Sequence, residues 1–210
     1  WIYIGGSTGS GQFTPSSTAN RDLFGYGTSG YNGLQPYECI RNNSSYPNTD
    51  IAGTDYDWGV YNNIYNPATG ETDAAGTWRI LTANEWQYLL VTRKVSVNGT
   101  DKATYFLANV NGSNGLVILP DNWDGSLFAG IVSDNVYGFI NSFTYTFNET
   151  TTPTWSDMED LGVAFLPASG GRSSSGGTYH TEASTMGERG GYWTGTVVLP
   201  TTTNKAYTTW

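Results

Sequence analysis

One cysteine, one histidine and two methionines are all that 210 residues contain of these types. A single thiol, Cys39, can form neither an intrachain disulfide nor a cysteine-rich metal site, and it reads as a small, semi-buried apolar residue. Charge is scarce too, at 13% of residues, about half the usual quarter. Nine Lys and Arg face 18 Asp and Glu, for a net charge of -9. With cations so few and so scattered, no nucleic-acid surface is expected. Apolar runs are short, the longest being 115–120 and 162–168, against the roughly 20 residues a membrane helix needs, so no membrane span is expected. What the chain does have is 15% aromatics, 27 glycines and a wealth of Thr, Asn and Ser. Disordered chains show the opposite balance. The length suits one domain with a real core, expected over 1–210. The polar, charge-poor, cysteine-poor composition fits a bacterial cell-surface or secreted protein.

Turn chemistry dominates residues 5–76, with Gly9-Ser10-Gly11, Gly30-Tyr31-Asn32-Gly33, Pro47-Asn48 and Asn66-Pro67 among the signals. Long ordered loops are expected there. Phe24, Tyr26, Tyr31, Tyr37, Tyr56, Trp58, Tyr61 and Tyr65 are expected to anchor them over a core. A helix is predicted from Thr82, where Thr82-Ala83-Asn84-Glu85 has the form of a capping box. Trp86, Leu89 and Leu90 would form its apolar face, and Arg93 and Lys94 would sit at its negative end. A second helix is predicted over 155–161, with Asp157 at the capping-box position, Gly162 as its stop, and Trp155, Met158 and Leu161 facing inward. The apolar runs 115–120 and 162–167 read as central strands buried on both faces. Further strands are expected at 103–110, 136–140 and 193–199. The fold class is α+β. Both ends, Trp1-Ile2-Tyr3-Ile4 and Tyr207-Thr208-Thr209-Trp210, look like strand interiors, so the chain is expected to be a fragment whose strand edges could support self-association.

The string Trp78-Arg79-Ile80-Leu81-Thr82-Ala83-Asn84-Glu85-Trp86-Gln87-Tyr88 resembles a signature of the formylglycine-generating-enzyme-like branch of the C-type lectin fold. Gly115 to Trp123, Met158 to Ala168 and Gly190 to Thr194 resemble later motifs of a subgroup found in surface proteins of gut bacteria. Two earlier stretches, Asp22 to Gly33 and Asp50 to Gly59, are similar to the same subgroup. The resemblance implies a C-type-lectin-like fold: two helices around a small, twisted, mostly antiparallel sheet with long ordered loops, here lacking the first and last strands. Some relatives in diversity-generating retroelement systems vary positions near a Tyr-Trp motif.

The resemblance also brings in two chemistries. The enzymatic branch depends on a pair of copper-binding cysteines, whereas this chain has one cysteine and lacks the branch's downstream motifs, so that oxidase activity is not expected. Calcium-dependent lectins of this fold use oxygen ligands, and Asn48, Asp50, Asp55 and Asp57 could supply them. The competing reading of those residues is turn capping, and the sugar-site motifs of such lectins are missing, so no cofactor is expected. Hydrolysis would need a base beside a nucleophile. The lone His180 instead sits in a Ser/Gly/Thr stretch, and Asp157 and Glu159 fit the first half of a helix. Residues 172–192 combine Tyr179, His180, Arg189 and Tyr192 with small adaptable residues, the recipe of antibody loops. Together with Asn204 and Tyr207 from 201–207 they form the expected ligand-binding site. The expected function is thus a non-catalytic, extracellular domain that binds a glycan or a protein surface. The alternative is a structural or adhesive unit of a bacterial surface fibre or phage appendage.

Overall fold

A computed structural model describes residues 26–34, 47–66, 69–97, 99–123, 145–168, 171–172, 183–184, 187–188, 190–197 and 207–209. In chain order these begin with a 3-10 turn at Tyr31–Gly33, the short helix α1 (Trp58–Tyr61) and a hairpin of β1 (Ile64–Asn66) and β2 (Glu71–Asp73). Helix α2 (Ala83–Gln87) continues as a π-helical turn over Tyr88–Thr92. Strands β3 (Lys94–Val97), β4 (Thr100–Ala103), β5 (Tyr105–Val110), β6 (Ser113–Ile118) and β7 (Tyr145–Phe147) follow. Helix α3 (Trp155–Asp160) precedes β8 (Ala164–Pro167), β9 (Gly171–Arg172), β10 (Ala183–Ser184), β11 (Gly191–Trp193) and β12 (Tyr207–Thr209). The chain is therefore mixed α+β, with few helices and several small sheets. Among the described residues no helix is long and apolar enough to cross a membrane.

Two compact units emerge. The first comprises described residues within Trp1–Ala83, Gly171–Ser184 and Tyr192–Thr208; the second comprises those within Asn84–Gly170 and Thr185–Gly191, with Thr209. The second unit holds the four-stranded sheet, in the order β7-β5-β6-β8. Its centre is the β5–β6 hairpin, turned by Asn111 and Gly112 at φ of 48° and 84°. That is the left-handed pair a two-residue hairpin turn requires, and Asn-Gly supplies it at little steric cost. Strand β7 joins β5 in parallel and β8 joins β6 antiparallel.

Alternation along β5 and β6 directs side chains to two apolar layers. Phe106, Ala108, Val110 and Val117 meet Phe147, Trp155, Met158 and Val163 on one side. Tyr105, Leu116 and Ile118 meet Leu90 and Leu166 on the other. The continuous apolar run at 115–120 is thus what a strand covered on both faces needs. The matching run at 162–167 departs from the expectation: β8 lies at the edge of the described sheet, and Ala164 is exposed. Among the described residues it pairs with β6 alone.

Helix α3 follows its sequence signals. Thr154 Oγ1 accepts from the Asp157 N–H at 3.1 Å, and the Asp157 carboxylate accepts from the Thr154 N–H at 3.0 Å. Gly162 takes φ 86° and its N–H reaches the Glu159 carbonyl at 2.8 Å, stopping the helix. Leu161 was expected on the inner face but is 43% exposed, because the helix ends at Asp160 and Leu161 is already its cap. The first predicted helical run ends at Thr92, just before Arg93 and Lys94, but its last turn is wound as π, closed by the Arg93 N–H on the Tyr88 carbonyl at 2.9 Å. Arg93 does more than face a helix end. It is buried, donates to Thr104 Oγ1 at 3.3 Å and pairs with Asp121 at 3.0 Å.

The strand predicted over 193–199 stops at Trp193, and 194–197 runs on as non-strand chain. The strand predicted over 136–140 and the residue Cys39 lie outside the described residues. Tyr207–Thr209 is a strand as its sequence suggested, paired with β11.

Two outcomes are expected. A methyl group at Gly115 would strike the Phe165 ring and lie 2.6 Å from the Leu166 carbonyl, so Gly115→Ala should loosen β8 and cost about 1–3 kcal/mol in urea unfolding. Hydrogen bonds from the Thr154 side chain and backbone hold the Asp157 carboxyl below its ordinary 3.8. This stabilisation is fully present above that value and is lost as pH falls through the lower folded value. Asp157→Asn should therefore be less stable than the parent at neutral pH, and the gap should close in strong acid.

Candidate functional site

The loops of the first unit carry few periodic apolar residues, so something other than a broad core must hold them. That element is Asp57. It is fully buried, and its carboxylate accepts three backbone N–H groups: Gly59 at 3.1 Å on Oδ1, with Gly53 at 3.2 Å and Ile80 at 2.9 Å on Oδ2. It caps α1 and at once fastens the preceding turn and the chain leading to α2. A buried carboxylate is costly unless such donors surround it. Gly59 has no side chain because the Trp78 carbonyl oxygen would lie 2.6 Å from its Cβ.

The loop at 29–34 is tied to this frame. Ser29 Oγ donates to the Asp55 carbonyl at 2.6 Å and accepts from the Tyr31 N–H at 3.2 Å. The Asn62 amide, at the end of α1, donates to the carbonyls of Ser29 at 2.8 Å and Trp58 at 3.1 Å. Glycines at positions 30 and 33, with φ of 100° and 76°, flank Asn32, itself at φ 52°. Left-handed backbone suits Gly and, next best, Asn.

This scaffold brings three rings together. Tyr31 stands edge-on to Tyr56 with centroids 5.0 Å apart and planes at 90°, and to Tyr61 at 5.7 Å and 68°. The exposed Asn32 amide donates to the Tyr56 hydroxyl at 2.8 Å. Tyr31 and Tyr56 are half-buried and Tyr61 is 46% exposed. Tyr61 and Tyr65 were expected to anchor loops over a core, yet both are exposed, as is Trp78. The loops are held instead by Asp57, by the Ser29 and Asn62 hydrogen bonds, and by the buried Leu34 and Ile51. Trp78 is nonetheless oriented, its indole N–H on Asp73 Oδ2 at 2.7 Å. Phe24 and Tyr37 lie outside the described residues.

The C-terminal stretch threads through the same unit. The Ile51 N–H donates to the Gly195 carbonyl at 2.8 Å, the Gly195 N–H to the Leu81 carbonyl at 2.7 Å, and the Val197 N–H to Asp50 Oδ1 at 2.8 Å. A Cβ on Gly195 would sit 2.6 Å from that of Ala52, so only glycine fits. Tyr26 packs its ring on Trp193 at 5.7 Å and gives its hydroxyl proton to the Thr49 carbonyl at 3.1 Å. Burial, with the Asp50 carboxylate second, pushes this phenol well above its ordinary value.

Of the expected binding residues, Tyr179, His180, Arg189 and Asn204 lie outside the described residues. Tyr192 is half-buried in β11, and Tyr207 belongs to β12, whose pairing with β11 sets the two tyrosines on neighbouring strands. Strands β9 and β10 pair Arg172 with Ala183 and Gly171 with Ser184, closing the base of the segment that contains Tyr179 and His180. Of the four residues weighed as calcium ligands, Asp50 and Asp57 accept backbone N–H donors. Among the described residues no group of three or more His, Cys, Asp or Glu could hold a metal ion. The Tyr31 cluster was not anticipated as a site, though Gly-Tyr-Asn-Gly, an aromatic and an amide between two glycines, is the pattern that could have signalled it.

Asp57→Asn would turn one carboxylate oxygen into an N–H₂ aimed at backbone donors. Each buried donor left unpaired costs about 1–3 kcal/mol, so the substitution should destabilise the chain by about 2–4 kcal/mol in urea unfolding, while Asp55→Asn should change little. No family model, curated protein or solved structure among those compared matches the chain.

Proposed function

We propose that this protein is a non-catalytic ligand-binding domain that works outside the cell, on a bacterial surface, within a C-type-lectin-like arrangement. The observation that carries the reading is the Tyr31–Asn32–Tyr56–Tyr61 cluster, in which rings and an amide are presented to solvent from loops held by side-chain-to-backbone hydrogen bonds. Rigid rings with adaptable amides lose little conformational entropy on binding and offer both stacking and hydrogen bonds. None of the four carries a formal charge, in keeping with a chain that is only 13% charged. The Trp78 to Tyr88 motif and its successors support the lectin-like part of the reading, and Tyr179, His180, Arg189, Tyr192, Asn204 and Tyr207 are proposed as ligand contacts on their residue types alone. The ligand is a glycan or a polar protein surface, met reversibly and without a bound metal.

The test is a screen of the full chain against glycan and extracellular-protein arrays, with and without a calcium chelator. Reversible binding that survives chelation, returns the ligand chemically unchanged, and weakens when the rim or the tyrosine cluster is altered is the expected result. Conversion of the ligand, strict calcium dependence, or no binding at all would overturn the proposal.

A further inference from the structure

We infer that the Tyr31 cluster is itself a subsite for one sugar ring of a neutral glycan, an inference that rests on the ligand-binding reading and sharpens it. A pyranose has a face of C–H bonds and a rim of hydroxyls. Its C–H groups are drawn to the electron-rich face of an aromatic ring, and its hydroxyls need donors and acceptors in fixed places. Both parts are present here. Tyr61 is exposed and half-buried Tyr31 lies against it, with planes at 68°. At the other side Tyr56 presents a hydroxyl whose oxygen already accepts from the Asn32 amide at 2.8 Å, which leaves its proton to donate outward. Asn32 keeps its carbonyl oxygen and a second N–H, for which no partner stands among the described residues. Donor and acceptor thus sit beside the rings, as sugar hydroxyls require.

The angles restrict the ligand further. Planes at 90° and 68° form a corner, not a flat strip. Long, flat, crystalline polysaccharides need coplanar rings spaced along a line, so a corner favours a chain end or a branch. The charge restricts it again. Asp55, exposed and next in the chain to Tyr56, and the overall charge of -9 oppose acidic sugars. Support for the geometry comes from Asn32 itself. It holds a left-handed backbone conformation between two glycines, so that its amide is fixed at the Tyr56 hydroxyl.

The probe is a printed array of neutral hexose and N-acetylhexosamine oligosaccharides beside uronate- and sialate-bearing ones, followed by calorimetric titration of the best-bound neutral oligosaccharide. Asn32→Gly keeps the left-handed backbone, Tyr56→Phe keeps the ring, and Tyr61→Ala removes an exposed side chain, so all three should fold as the parent does by circular dichroism. Each should weaken neutral-glycan binding about tenfold, the loss of one good contact, and acidic oligosaccharides should bind least. Binding unchanged in all three variants, or a preference for acidic oligosaccharides, would overturn the inference. If Ala at Tyr179, Arg189 and Tyr192 abolishes binding while the cluster variants bind normally, the subsite falls and the ligand-binding reading stands. If neither set matters, or the full chain binds no array component, both fall.

Discussion

A buried carboxylate with three backbone donors organises the first unit. Asp57 joins residues 53, 59 and 80, which share no strand and no common helix. Loops rich in Gly, Thr and Asn cannot bury enough apolar area to offset the entropy of ordering them. A polar centre solves that problem because each donor it satisfies would otherwise be stranded on burial. The arrangement extends outward by single bonds: Asn62 fixes the Ser29 loop, and Asp50 and Ile51 hold the chain at 195–197.

The second unit is stabilised by a different force. Its sheet has apolar layers on both faces, with Phe106, Val117 and Met158 among the most deeply buried side chains. Burial of this kind is non-directional and scales with area. Its specificity arises where the fit is tight, as at Gly115 beneath Phe165. One polar feature sits at its margin: Arg93 ends the π turn and reaches Asp121, itself largely exposed.

These two modes of stabilisation bear on function. A hydrophobic sandwich covers its aromatics, and Phe106, Phe147 and Trp155 are inside. In the loop unit Tyr26 is the ring that anchors, buried against Trp193, while hydrogen bonds hold the loops that carry the other tyrosines. Tyr31, Tyr56 and Tyr61 accordingly stay partly in solvent.

Local rules carried much of the second unit. The α3 cap of Thr154 and Asp157, the Gly162 stop, the helical run ending at Thr92 and the apolar strand at 115–120 were all readable, because each depends on neighbours within a few residues. The Asn111-Gly112 turn is equally local, a two-residue hairpin signal, but was not singled out in the sequence. The edge position of β8 was not readable, since runs 115–120 and 162–167 look alike and only the pairing order separates them. Nor was the exposure of Tyr61 and Trp78, because an aromatic in a loop has the same sequence signature whether it faces a core or water. Asp57 could be read as a turn cap, but not as the meeting point of three distant N–H groups. Composition and short-range pattern thus determined the α+β class and the main helix ends. Tertiary structure alone decided which rings meet and which face outward, because that depends on contacts between residues far apart in the chain.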